Sequence, residues 1–416
     1  MRDIIFSIRK SFRLSDSQTS DFPDYNMFNK LTSRRILSID IFRGITILVM
    51  VFVNELAGIR EIPSWMKHMP KDADAMSFVD LVFPAFLFIA GMSIPFALNN
   101  RLLKGDDLRD LQKHILWRTI GLLTLGLFMV NADATTAPLD MPISIHVWAL
   151  LFYICAILVW NVYTFKNKKW IYFLRGIGIG GLIILAIVYR GGQYGEEHLR
   201  PRWWGILGFI GWAYLFNCIF YQIFRGKISG MTGVIILCTV YFAVSKYFHW
   251  DDYPGKNSTH IAIMACGIIT SIIFFDEGRN IGMRRRFAEA FIFSILLLIA
   301  GYFLRPYYTI SKIWATPSWG FYCSAICCIL YSLLYWIVDI KGWKQWGSFV
   351  KPAAANPLLT YLIPDIIFAI TAALHFSFLP MKWRYGMPGI IWCAFFAIVV
   401  IWIAAGLNKI KIRLQL

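Results

Sequence analysis

One short stretch brings two ionisable residues to the edge of an apolar segment. In "HMPKDADAMSFVDLVFP", His68 opens a polar connection and Asp80 begins a long apolar run. A histidine that titrates near neutral pH can act as a general base when a carboxylate assists it, or as a nucleophile. The alternative is structural: Asp80 caps a helix N-terminus and His68 bonds to backbone or solvent.

Further charges stand within or beside other apolar segments, where their burial is costly and suggests function. "SIDIFRG" puts Asp40 and Arg43 on one helix face, either as a structural ion pair or with Arg43 facing an anionic ligand. "RNIGMRRRF" carries consecutive arginines that either fix the topology or bind phosphate: Arg284, Arg285 and Arg286.

The composition indicates the elements that position these residues. Hydrophobic residues make up 58% of the chain and charged residues 16%, with a mean hydropathy of +0.58, whereas soluble domains are about 25% charged. Apolar stretches of about 20 residues, the length of a membrane-crossing helix, recur throughout. The sequence therefore predicts an all-α, polytopic integral membrane protein, because most of these segments lack the polar face of a soluble bundle helix.

We predict about twelve transmembrane helices, or eleven if the eleventh does not cross. Their ranges are 39–58, 77–98, 114–130, 143–162, 170–189, 203–223, 231–248, 259–276, 287–304, 319–339, 355–374 and 388–407. The eleventh contains Pro357, Pro364 and Asp365, which favour a broken helix. Residues 39–407 form the predicted transmembrane domain, between a basic tail at 1–38 and a short tail at 408–416.

The distribution of basic residues predicts the orientation. The two tails and every second connection hold 26 lysines and arginines, against 12 on the opposite side, so both termini are predicted to be cytosolic. The basic connections then face the anionic inner leaflet, which accounts for much of the net charge of +17 without nucleic acid. All histidines except His114 fall on the outer side: His68, His146, His198, His249, His260 and His375.

Several function classes are disfavoured by the motifs. The N-terminal residues lack the apolar core of a signal peptide, and the eight cysteines fall in apolar spans without metal-ligand spacing. No Walker A, dinucleotide-binding or H-E-x-x-H motif occurs in the chain. We therefore expect no metal, no ATP-driven pump and no membrane metalloprotease.

Two blocks resemble a known family, the heparan-α-glucosaminide N-acetyltransferases and their bacterial relatives. The first is "SRRILSIDIFRGITILVMVFVN", followed by a histidine and "VDLVFPAFLFIAGMSI"; the second runs from "ISKIWATPSWG" to "NPLLTYLIP". The resemblance implies a transmembrane enzyme that takes acetyl-CoA from the cytosol and acetylates an amino sugar across the membrane. It implies a catalytic histidine at His68, with motif positions at Asn54 and Asp80, and it suggests a homodimer in the cytoplasmic membrane of a bacterium.

Within that resemblance, His68 is the expected base or acetyl carrier, Asp80 its partner, and Asn54 a donor to the thioester oxygen or the sugar. The cations and the ion pair expected on the acetyl-CoA side are Arg43, Asp40, Arg284, Arg285 and Arg286. Two alternatives remain. One is O-acetylation of a cell-envelope polysaccharide, which also needs a base, and the other is a secondary transporter.

Overall fold

The computed structural model of the protein describes residues 31, 35–132, 141–192, 195, 197–201, 205–250, 253–376 and 380–416. Most of the predicted N-terminal tail at 1–38 lies outside these ranges. Within them the chain forms twelve long α-helices and no β-strand, which confirms the all-α class. The helices are α1 (Leu37–Leu56), α2 (Val79–Leu103), α3 (Leu108–Asn131), α4 (Ile145–Trp160), α5 (Lys168–Val188), α6 (Ile206–Ile223), α7 (Ile228–Tyr247), α8 (Tyr253–Phe275), α9 (Met283–Leu304), α10 (Pro317–Tyr335), α11 (Pro357–Ala373) and α12 (Gly386–Lys409).

Each predicted span coincides with one of these helices. In the described part of the chain, ten helices are long and apolar enough to cross a bilayer, or eleven if a bent pair is counted as one span. Helix α4 is shorter, with 16 residues. The protein is therefore an integral membrane protein, and the cytosolic placement of its termini stays a prediction.

The break in the eleventh span lies at Asn356. The segment Trp346–Ala355 and helix α11 meet there at 81°, because a residue that precedes a proline avoids the helical conformation. Helix α11 itself continues through Pro364. The buried Asn356 side chain donates a hydrogen bond to Oδ1 of Asn408 at 3.2 Å, which ties the break to the end of α12.

Helix α8 is the centre of the bundle and packs against α2, α6, α7 and α10. Its apolar window is buried throughout, as expected of a helix that is hydrophobic all round. Gly91 of α2 and Gly267 of α8 let the two backbones approach closely. A Cβ on Gly91 would overlap the carbonyl of Met264, and a Cβ on Gly267 would overlap that of Phe88. This contact holds α2, which begins with the site described next, against the bundle core.

Candidate active site

Asp80 is held rigidly in the first turn of α2, with 1% of its surface exposed. Its Oδ2 atom accepts hydrogen bonds from the backbone N–H groups of Ser77 at 3.1 Å and Met69 at 3.2 Å. The Ser77 hydroxyl donates to the same oxygen at 3.3 Å. A buried carboxylate with this many donors stays in one orientation and is stabilised as an anion. Its other oxygen is thereby aimed at the connection between α1 and α2.

His68 meets that oxygen. Its Nδ1 atom lies 2.7 Å from Oδ1 of Asp80, and its side chain is 42% exposed. Because the carboxylate is an acceptor, Nδ1 is assigned as the protonated nitrogen of the neutral ring. The lone pair on Nε2 then remains for a proton or an acyl group. The structure thus brings together His68 and Asp80, the pair that the sequence predicted.

Lys312 completes the arrangement, and the sequence analysis missed it as a site residue. Its Nζ atom lies 3.1 Å from Nδ1 and 3.2 Å from Nε2 of His68. With Nδ1 donating to Asp80, the ammonium can donate to Nε2. Burial lowers the pKa of Lys312, although the nearby Asp80 carboxylate acts in the opposite sense. The only signal in the sequence was its position in the "ISKIWATPSWG" block.

A clamp between two connections puts Lys312 beside His68. Asp74 accepts hydrogen bonds from Nε of Arg305 at 2.8 Å and from the backbone N–H of Ile310 at 2.8 Å. The Ser311 hydroxyl donates to the carbonyl of Lys71 at 2.8 Å. The α1–α2 connection is therefore joined to the α9–α10 connection at Lys71 and Asp74, a few residues after His68.

Beneath the site, α10 and α8 supply an aromatic floor. The buried Trp319 donates its indole N–H to the backbone carbonyl of Asp80 at 3.3 Å. His260, one of the histidines predicted on the outer side, is buried within α8, with 3% of its surface exposed. Its ring packs among Phe83 of α2, Phe209 of α6 and Trp319 of α10.

Asn54 lies at the end of α1, on the same side of the bundle as His68. Its side chain is exposed, and its backbone carbonyl accepts the N–H of Ala57 at 3.3 Å. No hydrogen bond joins Asn54 to His68 or Asp80 within the described residues. Its contact with a substrate therefore stays a prediction.

Asp40 and Arg43 lie at the opposite end of α1, which we call the Arg43 end. Arg43 approaches Asp40 at 3.6 Å and donates to the Ser93 hydroxyl of α2 at 2.7 Å. Asp40 also pairs with Arg35 at 2.7 Å. The prediction that Asp40 and Arg43 share one face of α1 is confirmed. Arg43 crosses to the neighbouring helix and keeps part of its side chain, 23%, accessible.

The three consecutive arginines take up separate positions. Arg286 is buried and donates to the carbonyls of Ile273 at 2.8 Å and Asp276 at 2.7 Å, which satisfies the C-terminal end of α8. Arg285 pairs with Glu289 at 3.4 Å on the surface, and Arg284 is exposed. The structure does not gather these residues around one pocket.

A basic cavity of about 440 Å³ opens at the Arg43 end. It combines cations with aromatic rings, and its lining includes Arg101, His114, Lys168, Arg175, Trp160 and Tyr172. Arg118 lies one turn beyond His114 on α3, close enough to interact electrostatically with both His114 and Arg43. Positive charge thus continues from the cavity towards Arg43. In the sequence, this region was indicated only by Arg118, an arginine inside an apolar span.

Comparison with known proteins identifies relatives of part of the chain. Residues 35–195, which include His68 and Asp80, match the domain of unknown function DUF5009. The human heparan-alpha-glucosaminide N-acetyltransferase is 36% identical over 107 residues, 26% of this chain and 15% of the relative. The mouse protein of the same name is 34% identical over 110 residues, 26% of this chain and 16% of the relative. The matches thus span about a sixth of these relatives' own length, and they confirm the family resemblance.

Proposed function

We propose that this chain, which resembles the heparan-α-glucosaminide N-acetyltransferases, is a transmembrane acetyltransferase that moves an acetyl group from acetyl-CoA to the amino group of a glucosamine-type sugar. The observation that carries the proposal is the contact of His68 with both Asp80 and Lys312. The three side chains supply a base (His68), an anion that orients the base (Asp80) and a cation (Lys312), all at the partly exposed imidazole of His68. The printed names of the relatives supply the reaction class and the sugar.

In the proposed reaction, Nε2 of His68 takes a proton from the ammonium group of the acceptor. The freed amine attacks the thioester carbon, and the carbon–nitrogen bond forms as the carbon–sulfur bond breaks. His68 passes this proton to the departing CoA thiolate, and the attacking nitrogen loses one further proton to solvent, which leaves the neutral amide. Asp80 keeps the lone pair on Nε2 and stabilises the imidazolium, because its hydrogen bond holds the proton on Nδ1. An acetyl-histidine intermediate on the same nitrogen is the other route.

Lys312 has two roles in this scheme. Before the acceptor binds, its ammonium lies within 3.2 Å of both ring nitrogens of His68. When the acceptor displaces it, the same ammonium is near enough to stabilise the oxyanion of the tetrahedral intermediate. Asn54, exposed at the end of α1, is the proposed second donor to the acyl oxygen or the sugar.

Acetyl-CoA, the acetyl donor, is proposed to bind at the Arg43 end. CoA carries several phosphates and an adenine, and cations with aromatic rings suit these groups. The basic cavity and Arg118 lead towards Arg43 and Ser93 on the faces of α1 and α2. Among the cations expected for CoA, Arg43 has the strongest support, since Arg286 is occupied with backbone carbonyls.

The proposal is tested by transfer from acetyl-CoA to glucosamine in purified protein, with N-acetylglucosamine as the comparison acceptor. The His68→Ala variant is expected to lose transfer while CoA still raises its thermal stability. The exposed His198, which lies near Arg190 on another connection, provides the matched His198→Ala control with wild-type transfer. Near wild-type transfer by His68→Ala would contradict the catalytic role, and equal transfer to N-acetylglucosamine would favour O-acetylation. Absence of any CoA-dependent shift in the wild type would favour a transporter.

A further inference from the structure

A short segment between α10 and α11 runs across one end of the bundle instead of through it. Residues Trp346–Ala355 meet α11 at 81°, whereas α11 itself packs along α4 and α12. The segment therefore lies in the plane of the membrane, at the boundary between lipid tails and water. We call residues 341–355 the interfacial segment.

The inner face of the interfacial segment packs on the beginning of α1. A Cβ on Gly347 would overlap the side chain of Ile41, and a Cβ on Gly44 would overlap the backbone carbonyl of Val350. Because Gly44 directly follows Arg43 in the chain, this contact places the segment at the Arg43 end of the bundle.

The outer face carries aromatic rings and positive charge. Trp343 is 69% exposed, Trp346 44% and Phe349 51%. The exposed lysines of the segment are Lys341, Lys344 and Lys351. The segment contains no acidic residue, and the side chain of the preceding Asp339 accepts the backbone N–H of Ser38 at 3.0 Å. The outer face is therefore basic as well as aromatic.

This combination specifies the partner that fits the outer face. Tryptophan is favoured at the headgroup layer, where its ring meets the apolar boundary and its N–H stays in a polar layer. Lysine ammonium groups attract lipid phosphates, while their aliphatic stems cover apolar surface. An anionic headgroup keeps its net negative charge, whereas choline offsets the phosphate of a zwitterionic one. A soluble anion would meet the lysines but leave the aromatic rings in water.

We propose that the outer face of the interfacial segment is a docking surface for anionic phospholipid headgroups, with its three lysines as the phosphate contacts and Trp343 and Trp346 as anchors in the headgroup layer. The inference goes beyond the acetyltransferase proposal. Among the described residues that contact His68 or line the basic cavity, none belongs to the interfacial segment. Since the inner face packs beside Arg43, lipid bound to the outer face also stabilises the beginning of α1.

The test compares thermal unfolding of the full-length protein in two kinds of nanodisc, phosphatidylcholine alone and an equimolar mixture with phosphatidylglycerol. We expect the mixture to raise the unfolding temperature of the wild type by several degrees, and added salt to reduce this rise. The variant Lys341→Gln/Lys344→Gln/Lys351→Gln should lose most of the rise. The matched control replaces three exposed lysines in other connections at the same end, Lys104→Gln/Lys166→Gln/Lys227→Gln. It loses the same charge and should keep the rise.

Equal rises in the two triple variants would overturn the docking surface, and so would the absence of any rise in the wild type. A rise caused by CoA in phosphatidylcholine discs and lost in the segment variant would assign its lysines to free phosphate groups instead of lipid. If the segment variant does not fold, the wild type decides the matter with photoreactive lipids. Phosphatidylglycerol should then crosslink residues 341–351 in preference to phosphatidylcholine, and equal crosslinking would contradict the proposal. None of these outcomes depends on acetyl transfer.

Discussion

The ammonium nitrogen of Lys312 lies 3.1 Å from Nδ1 of His68, although 244 residues separate the two in the chain. The contact joins the connection after α1 to the connection before α10. It places a cation beside a base that is already paired with Asp80 at 2.7 Å. The reactivity of His68 therefore depends on two charges of opposite sign.

Replacement of Lys312 by methionine tests the contribution of this cation to transfer. The maximal rate should fall, because a donor to the oxyanion is lost. Lys71→Met removes an exposed lysine near Trp314 in the same region and serves as the control. An unchanged kcat in Lys312→Met would show that the cation does not act in the reaction.

Asp80→Asn tests the orientation of His68. The asparagine amide would set an N–H₂ group against either the His68 N–H or the backbone donors of Met69 and Ser77. We expect transfer to fall by about 10²-fold or more and stability by about 1–3 kcal/mol. Asp72→Asn, at an exposed position in the same connection, should leave both unchanged. Single-turnover rates and thermal melts measure the two effects, and a stability loss without a rate loss would assign Asp80 a structural role alone.

The Asp74 clamp predicts a loss of stability in acid. The backbone hydrogen bond from Ile310, with a smaller contribution from Arg305, lowers the pKa of Asp74. The folded state therefore gains stability above the usual carboxyl pKa of about 4, and this gain disappears as the pH falls through the lower pKa of the folded protein. Between pH 5 and pH 3 the wild type should lose more thermal stability than Asp74→Asn. Parallel pH curves for the two proteins would show that the clamp contributes no such term.

Gly91 and Gly267 should be intolerant of a methyl group. In Gly91→Ala the new Cβ would overlap the carbonyl of Met264 in a neighbouring backbone, which cannot move like a side chain. We expect a loss of folded protein or a fall in stability of several kcal/mol, consistent with overpacking. Gly180→Ala is the control, because nothing lies within 4 Å of that position in α5. It should melt at or above the wild-type temperature, since alanine favours helix.

Arg43→Met tests the proposed acetyl-CoA site. Loss of the guanidinium that contacts Ser93 should weaken CoA binding at least tenfold, read as a smaller thermal shift at fixed CoA concentration. Arg284→Met, at an exposed arginine in the first turn of α9, is the control and should keep the wild-type shift. Equal shifts in the two variants would move the donor site away from Arg43.

Much of the fold could be predicted from the sequence, since the signal is local. A stretch of about 20 apolar residues must satisfy its backbone internally as a helix in lipid. All twelve predicted spans accordingly coincide with helices, although α4 is shorter than a full crossing. The break near Pro357 was anticipated because proline restricts the residue before it. The burial of His260 was not, because that depends on which aromatic side chains of α2 and α6 pack against α8.

The candidate site divides in the same way. His68 and Asp80 lie 12 residues apart on a connection and the helix that follows, so short-range pattern and family resemblance were sufficient to pair them. The sequence alone determined the membrane class, the helices and this pair. Only the tertiary structure decided that Lys312 contacts His68 and that Arg286 donates its hydrogen bonds to backbone carbonyls. It also decided that Glu55 and Asp365 line one cavity. Those contacts arise from packing between helices distant in the chain, and periodicity within one helix carries no information about its partners.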